Sequence, residues 1–482
     1  MDLMDPTYLS AARLAHLTRT RAIGCLELLD HFIARTERLD ARINAVVVRD
    51  FDRARERARA LDSSVDRSAP LFGVPMTVKE SFDVAGLPTT RGHLAAKDHR
   101  APMTSLAVRR LEAAGVVVFG KTNVPVDLAD WQSYNPVYGA TSNPWNVAHT
   151  PGGSSGGSAA ALAAGLSGLE LGSDIGGSIR VPAHYCGVFG HKPTWALCPN
   201  PSDPATSRAA PTDIAVIGPL ARSATDLGLV LDAIGRPDPQ DSALTLTLPS
   251  PRTSRLAELR VAVWSSQSGQ ATDDETTTAV EDLAAFLERA GAQVSRTARP
   301  AFDPTDAYRL YLKLLNAAWS TGATEATLVR QRDAVRKLDP ADMSADAIMV
   351  RCTDTTHRDW LGLNEQRFRL RRAWTAFFQD YDVLLTPTIT TAALPHMQQG
   401  ETWERRITVA GQSMAYNDML FWPGLIGGFH LPATIAPMGF TRSGLPLGVQ
   451  IAGPVYGDRT TIAVAEHLEK DYRGFVSPPG WD

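Results

Sequence analysis

Between Tyr8 and Leu61 apolar residues return at helical spacing, as in Cys25, Leu26, Leu28, Leu29, Phe32 and Ile33, with charged residues between them. That pattern predicts a layer of antiparallel amphipathic helices lying over a core. The rhythm changes at residues 42–48, a short β-branched run that predicts a strand, and again at residues 116–119, Val-Val-Val-Phe, which predicts another. Residues 155–166 are rich in alanine and predict a helix whose free N-terminal N–H groups could face an oxygen. Residues 259–264 read as a strand and 275–293 as the amphipathic helix after it, beyond a Pro, Asp, Ser and Thr-rich loop at about 236–251. Residues 300–375 are helical and charged, with Tyr308, Tyr311, Trp319, Trp360 and Phe368 scattered through them. Two apolar runs near the C-terminus, 431–437 and 447–453, predict buried strands.

A chain of 482 residues could hold two or three average domains, although large α/β enzymes often form one continuous sheet and core. Composition narrows its partners. A net charge of −4 supplies no basic field for nucleic acid, so none is expected as a partner. No window approaches 18 charge-free apolar residues, and no basic stretch followed by an apolar run opens the chain; the expectation is a cytoplasmic protein without membrane attachment. Cys25, Cys186, Cys198 and Cys352 are too few and too scattered for a disulfide framework. His184, Cys186, His191 and Cys198 are metal-ligand types, but their spacing fits no compact zinc pattern, and no metal is expected.

The candidate chemistry lies in two glycine-serine stretches, Gly152-Gly153-Ser154-Ser155-Gly156-Gly157-Ser158 and Asp174-Ile175-Gly176-Gly177-Ser178-Ile179-Arg180, whose serines 154 and 178 are 24 residues apart. A serine hydroxyl needs a base before it attacks a carbonyl. Lysine serves only when neutral, and Lys79 follows Val74, Pro75, Met76 and Val78, an apolar setting that would lower its pKa. Glycines beside a serine free N–H groups to converge on a developing oxyanion, and Ile175, Gly176, Gly177 and Ser178 could supply them. Gly-Ser runs alone are commonly linkers, and single lysines are commonly solvated; the combination carries the reading. Two competing readings arise. Residues 115–122 match the phosphate-loop pattern G-x-x-x-x-G-K-[ST], although Val-Val-Val-Phe favours a strand and Pro125 interrupts any helix that Lys121 and Thr122 would open. His93, His149, His184 and His191 invite a Ser-His-Asp reading, but no G-x-S-x-G elbow surrounds either serine.

These serines and Lys79, with Pro70-Leu71-Phe72-Gly73-Val74-Pro75, Gly120-Lys121-Thr122-Asn123, Cys186-Gly187-Val188-Phe189-Gly190 and Lys192-Pro193-Thr194, resemble the amidase signature family. The likeness is densest between residues 70 and 225 and weaker on to 444–450. It implies one α/β domain built on a large mixed sheet with helices on both faces: a helical layer (1–65), the signature core (66–240), a variable region capping the substrate (241–375) and C-terminal core strands (376–482). It implies Ser178 as nucleophile, Ser154 as bridging serine after a cis Gly153–Ser154 bond, Lys79 as base, and supporting places for Ser155, Asp174 and Arg180. Leu128, Ala129, Asp130 and Trp131 fall where relatives line the acyl pocket, hinting at an apolar or aromatic substrate. The implied activity is a stand-alone amide hydrolase without cofactor, monomeric or homodimeric, taking amides, aryl carbamates or esters. The alternative within the family is the glutaminase subunit of a tRNA-dependent amidotransferase, whose usual wording after Asn123 differs from Val124-Pro125-Val126-Asp127-Leu128-Ala129 here. Glu80-Ser81, His191 and the stretch from Trp195 to Asp213 depart from common family wording, the last close to the nucleophile.

Overall fold

The first two strands expected from the sequence are neighbours. Val46–Arg49 pairs antiparallel with Val117–Thr122 at one edge of an eleven-stranded sheet in this computed structural model, which describes residues 5–199, 210–236, 245–320 and 323–482. The first strand begins later than the β-branched pattern suggests. Asn44 takes a left-handed turn (φ 54°), and Asp40 Oδ1 accepts from the N–H groups of Ala45 at 2.8 Å and Val46 at 3.0 Å, so pairing starts only after that bend.

Inward from that edge come Pro75–Lys79 and Glu170–Asp174, parallel to one another, then Val216–Ala221 and Phe189–Lys192. The long antiparallel pair Ala433–Phe440 and Pro446–Ala452 is next, and Val383–Pro387, Arg260–Val263 and Gln293–Ser295 complete the far side. Strands from the N-terminal, central and C-terminal parts of the chain thus share one mixed sheet, which makes the molecule a single α/β domain. The run at 275–293 is helical only as Asp274–Arg289, started by an Asp273 side chain accepting the Thr276 N–H. Its end is a parallel strand, Gln293–Ser295, because the chain must return to the sheet edge beside Arg260–Val263.

The N-terminal helices Ala11–Arg19, Cys25–Leu39 and Phe51–Asp62 lie against the sheet as the periodicity requires. Cys25, Leu28, Leu29, Phe32 and Ile33 are all buried, each full-sized apolar side chain contributing about 1.5–3 kcal/mol relative to exposure. The alanine-rich run forms Gly156–Ala163, every residue of it buried between sheet and helix Arg180–Cys186. It stops before Leu166 because Gly165 adopts φ 67°, a conformation alanine disfavours.

The region 300–375 is helical, as expected, in Pro304–Ser320, Glu325–Lys337, Ala345–Arg351 and the first part of His357–Asp380. The first of these is largely buried, whereas Glu325–Lys337 has no buried residue. Part of the loop read at 236–251, residues 237–244, lies outside the described residues, as do 200–209 of the unusual stretch from Trp195 to Asp213. Among the described residues no helix is long and apolar enough to cross a membrane.

Candidate active site

Lys79 ends the fully buried strand Pro75–Lys79, so the backbone delivers a long cationic side chain into the protein with no path back to water. Its Nζ donates to Ser154 Oγ at 2.6 Å and to Ser173 Oγ at 2.9 Å, with Ser173 O at 3.5 Å. Burial pushes its pKa well below the usual 10.5; Asp174 opposes that shift and the Arg91 guanidinium reinforces it. Desolvation wins, so the amine is available as a base.

Ser154 follows a cis Gly153–Ser154 peptide bond and stands just before the helix Gly156–Ala163. The next residue ties the two serine stretches together. Ser155 N–H donates to the Ser178 carbonyl at 3.1 Å, and Ser155 Oγ donates to Ser173 O at 3.3 Å. Ser178 itself lies in the turn between Glu170–Asp174 and Arg180–Cys186. Exposure rises from Lys79 at 0% through Ser154 at 1% to Ser178 at 6%, so of serines 154 and 178 the one nearer solvent is the one that does not touch the amine. Ser178 Oγ makes no hydrogen bond to a described residue, which leaves the hydroxyl free to meet a ligand.

Asp174 organises that turn. Its carboxylate accepts from Gly177 N–H at 2.9 Å, from Ile179 N–H at 3.0 Å, and from the Arg180 guanidinium at 3.0 and 2.8 Å. Burial alone would raise its pKa, but Arg180 outweighs it and holds the carboxyl far below the ordinary range. Arg180 also donates to Pro423 O at 2.8 Å and Gln450 Oε1 at 2.7 Å, joining the turn to the C-terminal strands. Of the four N–H groups expected to face an oxyanion, Gly177's is therefore taken by Asp174. Those of Ile175, Gly176 and Ser178 donate to no described residue.

The segment expected to line an acyl pocket divides. Leu128 (φ 62°) is half-buried and Ala129 exposed. Asp130 faces the protein rather than an open pocket: Arg405 Nη1 donates to it at 2.6 Å and Tyr416 Oη at 2.7 Å. Trp131, 8% exposed, packs on Tyr416 with ring centroids 5.3 Å apart, and its Nε1–H donates to Gly176 O at 3.0 Å. Among the described residues of 300–375, Pro304–Ser320 reaches the serine turn, through Tyr311 Oη donating to Ile175 O at 3.3 Å. Trp360 and Phe368 line a separate groove with Trp195, His430 and Tyr456. A cavity of about 690 Å³, lined by Thr272, Asp274, Tyr308, Ile348, Met414 and Asp418 among others, includes none of Lys79, Ser154 and Ser178 in its wall.

Sequence reasoning missed Ser173, Tyr311 and the Arg405–Tyr416 pair. Ser173 lies inside the matched block and could have been found from strand alternation, which puts it beside the end of the neighbouring strand; the others are remote in sequence. The competing readings find no support in the geometry. Residues 117–122 are an interior strand, and Lys121 is buried, donating to Pro88 O and to Thr89 Oγ1 at 2.9 Å. His184 bonds the Gly448 backbone, His191 bonds Thr434 and Asp458, and His93 meets Asp127 at the surface. Cys186 Sγ points at Pro151 O.

Known proteins resemble the chain over nearly its whole length. The chain is 34% identical over 475 residues to AmiB2 of Mycobacterium tuberculosis, named as an amidase, covering 97% of each chain. It is 33% identical to an acylamidase of Rhodococcus erythropolis, over 96% of this chain and 95% of that one. It is 32% identical to a glutamyl-tRNA(Gln) amidotransferase subunit of Moorella thermoacetica, over 97% of both. A solved bacterial aryl acylamidase superposes with a TM-score of 0.81 at 23% identity, over 97% of each chain, which shows the common fold. A family model described as Amidase matches residues 27–462, and with the sheet and the two serine stretches in place this protein belongs to the amidase signature family of hydrolases acting on amides.

Proposed function

We propose that the chain is a stand-alone serine amidohydrolase that cleaves the C–N bond of small amides through an acyl-enzyme on Ser178, without a metal or organic cofactor. The observation that carries this reading is the contact of a deeply buried Lys79 amine with Ser154 Oγ at 2.6 Å. Neutral Lys79 takes the proton of Ser154, and Ser154 takes that of Ser178 as Ser178 Oγ bonds to the carbonyl carbon. The carbonyl oxygen becomes an oxyanion, met by the uncommitted N–H groups of Ile175, Gly176 and Ser178. As the C–N bond breaks, the proton returns through Ser154 to the leaving nitrogen. Water then attacks the acyl carbon by the same route and releases the acid, restoring Ser178. In the resting geometry it is the Ser155 N–H that bonds to Ser178, through the Ser178 carbonyl, while the hydroxyls of Ser154 and Ser178 are not yet bonded to one another; catalytic hydrogen bonds often tighten only when substrate is bound.

Trp131 beside the serine turn and the acylamidase relative support an apolar or aromatic acyl amide as substrate, with aryl carbamates and esters as further candidates. We place the enzyme in the cytoplasm. A second reading, glutamine hydrolysis for a partner amidotransferase, is favoured by the relative at 32% identity. The test is hydrolysis of an aryl acetamide, an aliphatic amide, an aryl carbamate, an ester and glutamine by wild type and Ser178→Ala side by side. Turnover of amides that vanishes in the variant is the expected result. Turnover of glutamine alone supports the amidotransferase reading, and amide turnover that survives in Ser178→Ala refutes the nucleophile.

A further inference from the structure

We infer that Tyr311 is a positioning residue that aims the Gly176 N–H at the oxyanion. The inference rests on the reading of Ser178 as nucleophile. Its starting point is the planarity of the peptide bond: in a trans unit the C=O and the adjoining N–H point in opposite directions, so holding one aims the other. Two side chains hold carbonyls in this turn. Trp131 Nε1–H holds Gly176 O at 3.0 Å, and the opposite end of that peptide, Gly177 N–H, is taken by Asp174 at 2.9 Å. That unit is pinned at both ends and its donor is used.

The preceding unit is held at one end only. Tyr311 Oη donates to Ile175 O at 3.3 Å, which directs Gly176 N–H away from Tyr311, and that N–H meets no described residue. A carbonyl that accepts a hydrogen bond also polarises the N–H of its own peptide, which strengthens it as a donor. The Tyr311 ring is fully buried against glycines of the facing helix Phe421–Gly427 and of its C-cap Gly428. A Cβ at Gly424 would come within 2.4 Å of Tyr311 Cδ1, and one at Gly428 within 2.8 Å of Cδ2. Ring and hydroxyl are thereby held in one pose. Burial pushes the phenol pKa far above its ordinary value of 10, so the hydroxyl stays a donor throughout the working pH range.

A ring that merely filled space would be replaced without loss by phenylalanine. The experiment measures kcat and KM of wild type, Tyr311→Phe and Ser178→Ala on the best amide of the panel, with Tm for each. The expected result is kcat about 10-fold lower in Tyr311→Phe, with KM within about 2-fold and Tm nearly unchanged, the signature of an interaction used in the transition state. Wild-type kcat in Tyr311→Phe while Ser178→Ala is silent overturns the positioning role and leaves the nucleophile standing. A loss confined to KM overturns it in favour of a substrate contact. Activity in Ser178→Ala overturns the reading beneath it. Should Tyr311→Phe lose its fold, Gly424→Ala, whose methyl displaces the ring, must show the same kcat loss at constant KM; wild-type kcat there overturns the inference.

Discussion

Lys79 Nζ and Ser154 Oγ stand 2.6 Å apart at the end of a fully buried strand, so the desolvated amine is in direct contact with a serine. The chemistry needs the amine neutral, and the fold achieves that by burial, at a cost to its own stability. In the folded state the lysine pKa is depressed, whereas in the unfolded chain it lies near 10.5. Below that value the unfolded state binds a proton that the folded state resists, which favours unfolding.

Lys79→Met should therefore be inactive and more heat-stable than wild type at pH 7. The gain in Tm should shrink as pH rises toward 10.5, above which both states of the wild-type lysine are neutral. Thermal melts of both proteins from about pH 7 to about pH 10 check this. A variant less stable than wild type at pH 7 would show that the Lys79 contacts with Ser154 and Ser173 outweigh the desolvation.

Replacing the nucleophile is a separate matter. Ser178→Ala should reduce kcat on amides by at least about 10³-fold with little change in Tm, since its Oγ holds no part of the fold together. Ser154→Ala removes the proton carrier but leaves Lys79 and Ser178, and should retain more activity than Ser178→Ala. Equal residual rates in the two would argue against a relay.

How much of this was legible in the chain depends on distance along it. The two serine stretches and Lys79 fall in blocks whose local wording already suggests tight turns and an apolar setting for the lysine, and the structure brings Lys79 and Ser154 into contact. The helix Gly156–Ala163 and the strand Arg260–Val263 follow from periodicity, with ends shifted by capping and turn residues that a pattern does not weigh. Tyr311 reaches Ile175 across 136 residues, and Arg405 reaches Asp130 across 275. No local pattern announces such partners. Asp130 reads as pocket lining because its neighbours do, yet a buried carboxylate is settled by whichever cation the fold brings to it.

The Asp174–Arg180 pair should be the principal acid-sensitive element of the site. Asp174 is depressed in the folded state, so its contribution is complete above the unfolded value of 3.8 and disappears as pH falls further. Asp174→Asn leaves Arg180 without its counter-charge and should cost about 3–5 kcal/mol at neutral pH. The Tm difference from wild type should be largest above about pH 5 and narrow below about pH 4. A constant difference across that range would assign the loss to hydrogen bonds rather than charge.

Glu170 carries the opposite sign. It is fully buried one strand from Lys79, accepting from Thr77 Oγ1 and Thr122 Oγ1, and burial raises its pKa from 4.5 to about 8. Among the described residues no cation faces it, so the folded protein keeps it protonated at neutral pH. The raised folded value makes its contribution complete below pH 4.5, where both states are protonated, and lost progressively up to about pH 8 as the unfolded chain ionises first. Glu170→Gln, which keeps the shape and cannot ionise, should match wild type in Tm near pH 4.5 and exceed it at about pH 8. Melts at those two values decide the matter: a variant that is destabilised at both would mean that Thr77 and Thr122 hold a carboxylate after all.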